Sequence, residues 1–131
     1  MRVMLDTNIL ISAMVFKSSK MNDVLRKAKD EHELCLDSYT IEETKRILNE
    51  KFDDIAIDVA KFFEDYPYTL IEAHPDGTSP LVRIRDEKDY PIIHAAITNQ
   101  IDLLVTGDKD FFAVKVDRPV ILMPLDFLEK Y

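Results

Sequence analysis

Carboxylates recur in this chain where apolar runs end. Val3-Met4-Leu5 is followed by Asp6, and Leu34-Cys35-Leu36 by Asp37. Leu103-Leu104-Val105-Thr106 leads through Gly107 to Asp108 and then Asp110. Two further pairs, Glu42 with Glu43 and Asp86 with Asp89, stand near the start of helix-periodic stretches. Carboxylates brought together repel one another unless a cation holds them. An all-oxygen donor set suits Mg²⁺ or Mn²⁺ rather than zinc. His32, His74 and His94 are scattered, with no His-x-x-x-His or Cys–His spacing, which makes zinc chemistry a poor fit. There is no Gly-x-Ser-x-Gly elbow, and Cys35, the single cysteine, lies inside an apolar run, so Ser or Cys nucleophiles are not indicated.

Each acid also has a bland explanation. Asp and Glu at helix amino ends are favoured by capping and the macrodipole, by roughly 0.3–1 kcal/mol each. Asp37 or Asp89 alone reads first as a cap, and Asp76 in Pro75-Asp76-Gly77 as a turn residue. What decides is whether the acids meet, and that depends on the elements carrying them.

Those elements alternate. A strand at Val3-Met4-Leu5 runs into a helix marked by Ile9, Leu10, Ala13 and Met14. A second helix carries Met21, Val24, Leu25 and Ala28, and a strand follows over Glu33 to Asp37. Ser38 is the expected cap of a helix from about Thr40 to Lys51, and another helix is expected from Asp54 to Asp65. A third strand covers Tyr68 to Glu72, and a long loop runs from His74 to Pro80. Leu81, Val82 and Ile84 fit a short strand or an extended approach. Asp89-Tyr90-Pro91 then opens a helix with Pro in its first turn. Asp102 to Thr106 is a fourth strand, Phe111-Phe112 a short helix, Val120 to Met123 a last strand, and Asp126-Phe127-Leu128 part of a terminal helix. The alternation predicts a three-layer α/β/α sandwich with a mainly parallel sheet and right-handed crossovers. Such a sheet collects strand carboxyl ends at one edge, where ligands bind. Asp6, Asp37, Glu42 or Glu43, Asp86 or Asp89, and Asp108 with Asp110 would arrive at that edge from separate segments.

The 131 residues fit one domain spanning 1–131. Hydrophobic content of 47% and charged content of 32% are those of a globular protein. Two glycines exclude Gly-rich phosphate loops. With no signal peptide and no membrane-length apolar run, a cytoplasmic location is expected and no membrane partner. A net charge of −8 disfavours broad nucleic-acid affinity and suits a site needing cations, or a basic partner.

Four stretches together resemble the motifs of PIN domains. They are Leu5-Asp6-Thr7-Asn8-Ile9-Leu10-Ile11-Ser12-Ala13, Glu43 before Ile47-Leu48, Arg85-Asp86-Glu87-Lys88-Asp89 before Ala95-Ala96, and Leu104-Val105-Thr106-Gly107-Asp108-Lys109-Asp110-Phe111. They occur in order over nearly the whole chain, and the chain is most similar to small prokaryotic PIN proteins of toxin–antitoxin pairs (VapC-like). The resemblance implies an Mg²⁺- or Mn²⁺-dependent ribonuclease with Asp6, Glu43, Asp89 and Asp108 as its catalytic and metal-binding acids. Thr7 or Asn8 would orient Asp6, and Thr106 or Asp110 would support the site. Spacing to Ile47-Leu48 favours Glu43 over Glu42, and spacing to Ala96 favours Asp89 over Asp86.

The mechanism so implied is hydrolysis by an activated water attacking a phosphodiester in line. RNA as the substrate comes from the resemblance alone, as does a basic antitoxin partner; a homodimer is compatible with both. Lys17, Lys20, Arg83, Arg85, Lys88 and Lys109 are candidate phosphate contacts, though most such charges are simply solvated. Two other classes compete. A phosphohydrolase of the haloacid-dehalogenase type would want a second Asp where Asn8 stands. A degenerate, non-catalytic PIN fold would act as an interaction module, against which the intact acidic set counts.

Overall fold

A computed structural model describes residues 1–74 and 90–131 of the chain. Among the described residues five strands form one sheet: β1 (Arg2–Leu5), β2 (Glu33–Asp37), β3 (Thr69–Ile71), β4 (Leu103–Val105) and β5 (Val120–Leu122). Their order is β3-β2-β1-β4-β5 and every neighbouring pair is parallel. The helices are α1 (Thr7–Met14), α2 (Ser19–Glu31), α3 (Ser38–Lys51), α4 (Val59–Glu64), α5 (Tyr90–Thr98), α6 (Lys109–Phe112) and α7 (Pro124–Lys130).

The pleat divides the core in two, because successive strand residues point to opposite faces. Val3 and Leu5 of β1, Leu34 and Leu36 of β2, and Leu103 and Val105 of β4 face one way. They meet Ile9 and Leu10 of α1, Val24 and Leu25 of α2, and Phe127 of α7. Met4, Cys35 and Leu104 face the other way, against Ile92, Ile93, Ala95 and Ala96 of α5 and Phe111 of α6. Covering on both faces explains why β1 is an uninterrupted apolar run rather than an alternating one. Fully burying a side chain such as Leu10, Leu25 or Ile93 contributes about 1.5–3 kcal/mol. The α/β/α sandwich expected from the alternation is therefore present, with a sheet that is parallel throughout. Cys35 is a buried free thiol whose pKa burial pushes up.

Several boundaries differ from the sequence reading. Asp37, not Ser38, caps α3, and its side chain accepts from the Thr40 N–H. Ser38 is already helical, and its hydroxyl oxygen accepts from the Ala73 N–H at 2.9 Å instead. The helix expected from Asp54 begins only at Val59, because the Asp58 carboxylate caps it through the Lys61 N–H at 3.1 Å. Ile55, inside the span expected to be helical, is exposed in the connection before it. The stretch Leu81 to Ile84, with Asp76, Asp86, Asp89, Arg83, Arg85 and Lys88, lies outside the described residues.

Candidate active site

With β1 at the centre of the sheet, its carboxyl end is flanked by those of β2 and β4. Asp6 sits there between β1 and α1, 3% exposed. Its backbone is extended, and it caps α1 by accepting the Ile9 N–H at 3.3 Å. The Thr106 hydroxyl donates to its second oxygen. Its pKa is raised from 3.8 to about 6, chiefly by burial; the bonds from Thr106 and Ile9 work against that rise, and the Asp108 and Glu43 carboxylates add to it.

Thr106 also places Asp108. Its backbone N–H donates to Leu122 of β5, which fixes the residue at the end of β4. Its hydroxyl oxygen accepts the Asp108 N–H at 3.0 Å. Asp108 in turn caps α6, accepting the Asp110 N–H at 3.0 Å. Asp110 thus meets Asp108 through its backbone N–H.

Glu43 comes from the second turn of α3. Its Oε1 accepts the Thr7 hydroxyl at 2.6 Å, and its Oε2 lies 3.8 Å from the Arg46 guanidinium. Its side chain is 21% exposed, whereas that of neighbouring Glu42 is 76% exposed and lies 3.8 Å from Lys45. Geometry therefore sorts the pair: Glu43 faces inward and Glu42 outward. Thr7 serves Glu43 rather than Asp6, and Thr106 is the residue that orients Asp6.

Asp6, Thr7, Asn8, Glu43 and Asp108 line one cleft of about 30 Å³, with Ile92 and Phe111 as its apolar wall. That volume holds a water or a bare ion and little more. Asp37 is spent elsewhere: fully buried, it accepts both the N–H and the hydroxyl of Thr40, at 2.9 and 2.6 Å, and burial raises its pKa. Asp86 and Asp89 cannot be placed, since both lie outside the described residues. Among the described residues no three His, Cys, Asp or Glu side chains form a ready metal cage. The sequence reading did not name Arg46; its i+3 spacing from Glu43 on one helix is the signal that would find it. Ile92 and Phe111 read only as core. Lys17, Lys20 and Lys109 are exposed, as solvated charges are. Among the described residues no helix is long and apolar enough to cross a membrane.

No curated protein matches the chain. Among solved structures, the chain shares its fold with VapBC2 from Rickettsia felis, bound to a DNA fragment from their promoter. The TM-score is 0.67 at 18% identity, covering 93% of this chain and 97% of that chain. A PIN domain family model matches residues 2–110, a span that contains Asp6, Glu43, Asp108 and strands β1 to β4. The chain belongs to the PIN domain family.

Proposed function

We propose that this protein is a divalent-metal-dependent endoribonuclease, and that it is the toxin of a toxin–antitoxin pair. One observation supports the nuclease reading above the others: Asp6, Glu43 and Asp108 reach a single small cleft from three separate elements. The donor set fits Mg²⁺ or Mn²⁺, being all carboxylate oxygen around a nearly buried Asp6 whose proton affinity is already raised. Asp6, Glu43 and Asp108 would hold the ion, with Asp89 as a fourth acid. When bound, the ion supplies charge that acidifies water and offsets the negative charge developing on the phosphate. The protein's own part is positioning. Thr106 and the Ile9 N–H fix both oxygens of Asp6, Thr7 fixes one oxygen of Glu43, and the α6 cap fixes Asp108. None of these residues needs to act as a covalent nucleophile.

The antitoxin reading draws on the structural neighbour, which is a VapBC2 complex. A basic segment of such a partner would be drawn to a protein of net charge −8 and could pair with the cleft carboxylates. The second reading is a non-catalytic PIN-fold interaction module. Incubating a mixed RNA pool with the protein and Mn²⁺, then sequencing the product ends, separates the two. Cleavage by wild type that is abolished in Asp6→Asn and Asp108→Asn supports the nuclease. Cleavage that persists in both variants removes this site from the reaction.

A further inference from the structure

Beside the acidic cleft lies a second, larger hollow of about 250 Å³, lined by Tyr39, Glu42, Glu43 and Arg46. The two share Glu43. All four lining residues belong to α3, where 39, 42, 43 and 46 repeat at i, i+3, i+4 and i+7 and so form one stripe. The stripe leads away from the cleft. Tyr39 is half-buried, packed against the core cluster that includes Ile92 and Ile93 of α5. Arg46 stands at the mouth with its side chain 56% exposed, 3.8 Å from Glu43 and 3.3 Å from Glu50.

Two of the four lining groups, Tyr39 and Arg46, suit a nucleotide; the other two, Glu42 and Glu43, are carboxylates. An aromatic face takes any base by stacking, and a guanidinium takes phosphate with paired N–H donors. The volume exceeds what one water or ion needs and is of the order of a single base with part of its sugar. Electrostatics give the arrangement a purpose. A polynucleotide entering a cleft of carboxylates is repelled, and a cation held against Glu43 is where that repulsion is first relieved. The Arg46–Glu50 pair is exposed and the Arg46–Glu43 contact is long at 3.8 Å, so neither holds the guanidinium tightly and Arg46 can turn to phosphate at little cost.

We propose that the Tyr39–Arg46 hollow binds the nucleotide adjoining the cleaved linkage, its base on Tyr39 and its phosphate on Arg46. The proposal deepens the nuclease reading and rests on it for the substrate class. The test is fluorescence anisotropy with a labelled single-stranded RNA decamer of mixed sequence, Ca²⁺ replacing Mn²⁺, alongside Mn²⁺ cleavage kinetics. Arg46→Gln is compared with Lys45→Gln, which removes the same charge one residue away, and Tyr39→Leu with Tyr39→Phe, which keeps the ring. Expected is about tenfold weaker binding in Arg46→Gln and Tyr39→Leu, with Lys45→Gln and Tyr39→Phe near wild type. The salt slope should fall by about one in Arg46→Gln only. In cleavage, KM should rise more than kcat falls. Discrimination in binding with no cleavage by any variant supports the subsite and removes the nuclease reading. Wild-type cleavage with equal binding and KM across all four variants overturns the subsite and leaves the nuclease reading intact. Equal losses in Arg46→Gln and Lys45→Gln also overturn it, since general charge would then account for the effect. So does a wild type that fails to bind the decamer.

Discussion

The Thr106 hydroxyl donates to the Asp6 carboxylate across 100 residues of sequence and accepts the Asp108 N–H on the same oxygen. One side chain therefore sets the positions of two acids from two strands. Thr106 is fully buried, so neither bond can be replaced by water without rearrangement. Thr106→Val removes both. Stability should fall by about 1–3 kcal/mol, and RNA cleavage by about 10–100-fold. Loss of the donor also raises the Asp6 pKa further, so the acid limb of the rate profile should move to higher pH. A denaturant melt and a pH–rate series check these; an unchanged profile would show that the bond does not tune Asp6.

Asp6 should make the metal-free protein less stable at neutral pH than in acid. Its folded pKa is about 6 against an ordinary 3.8, so the folded state binds the proton more tightly than the unfolded chain. The resulting stabilisation is fully present below 3.8 and is lost as pH rises through about 6. A shift of that size corresponds to at most about 3 kcal/mol. Asp6→Asn keeps a capping oxygen and has no carboxylate to titrate. In EDTA its Tm should exceed that of wild type at about pH 7.5, with the gap closing below about pH 4. A gap independent of pH would contradict the prediction.

Glu43 and Glu42 should separate cleanly. Glu43→Gln keeps a group able to meet Thr7 but removes a charge from the cleft, and cleavage should drop by about 100-fold. Glu42→Gln alters an exposed side chain beside Lys45, and turnover should stay measurable with Tm nearly unchanged. Equal kinetic losses in the two would mean that the bulk charge of α3 matters and the cleft does not.

Partner binding should compete with metal. A basic antitoxin segment inserting Arg or Lys among Asp6, Glu43 and Asp108 would use the same oxygens as Mn²⁺. Co-expression with the neighbouring small open reading frame, purification of the complex and titration of inhibition against Mn²⁺ should show relief at high metal. Equal affinity at zero and saturating metal, and for Asp6→Asn as for wild type, would place the partner elsewhere.

Periodicity is local, and what is local was legible. Val3-Met4-Leu5, Leu34-Cys35-Leu36 and Leu103-Leu104-Val105 read as buried strands because both faces are covered, and Ile9, Leu10, Ala13 and Met14 read as a helix face because they are one. Helix starts were less legible, since several acids and hydroxyls compete to cap each one. Asp58 rather than Asp54 begins α4, and Asp37 rather than Ser38 caps α3. The acids themselves illustrate the limit. Asp6 and Asp37 both follow an apolar strand and both cap the next helix, so residue pattern gives them the same standing, and only the motif resemblance singles out Asp6. The fold gives the physical reason. Asp37 turns its oxygens onto Thr40, three residues on, while Asp6 sits where the order β2-β1-β4 brings Glu43 and Asp108 alongside. Strand order is set by which apolar faces bury together across the whole chain. A bond such as that from Thr106 to Asp6 therefore exists only once the sheet has closed around β1.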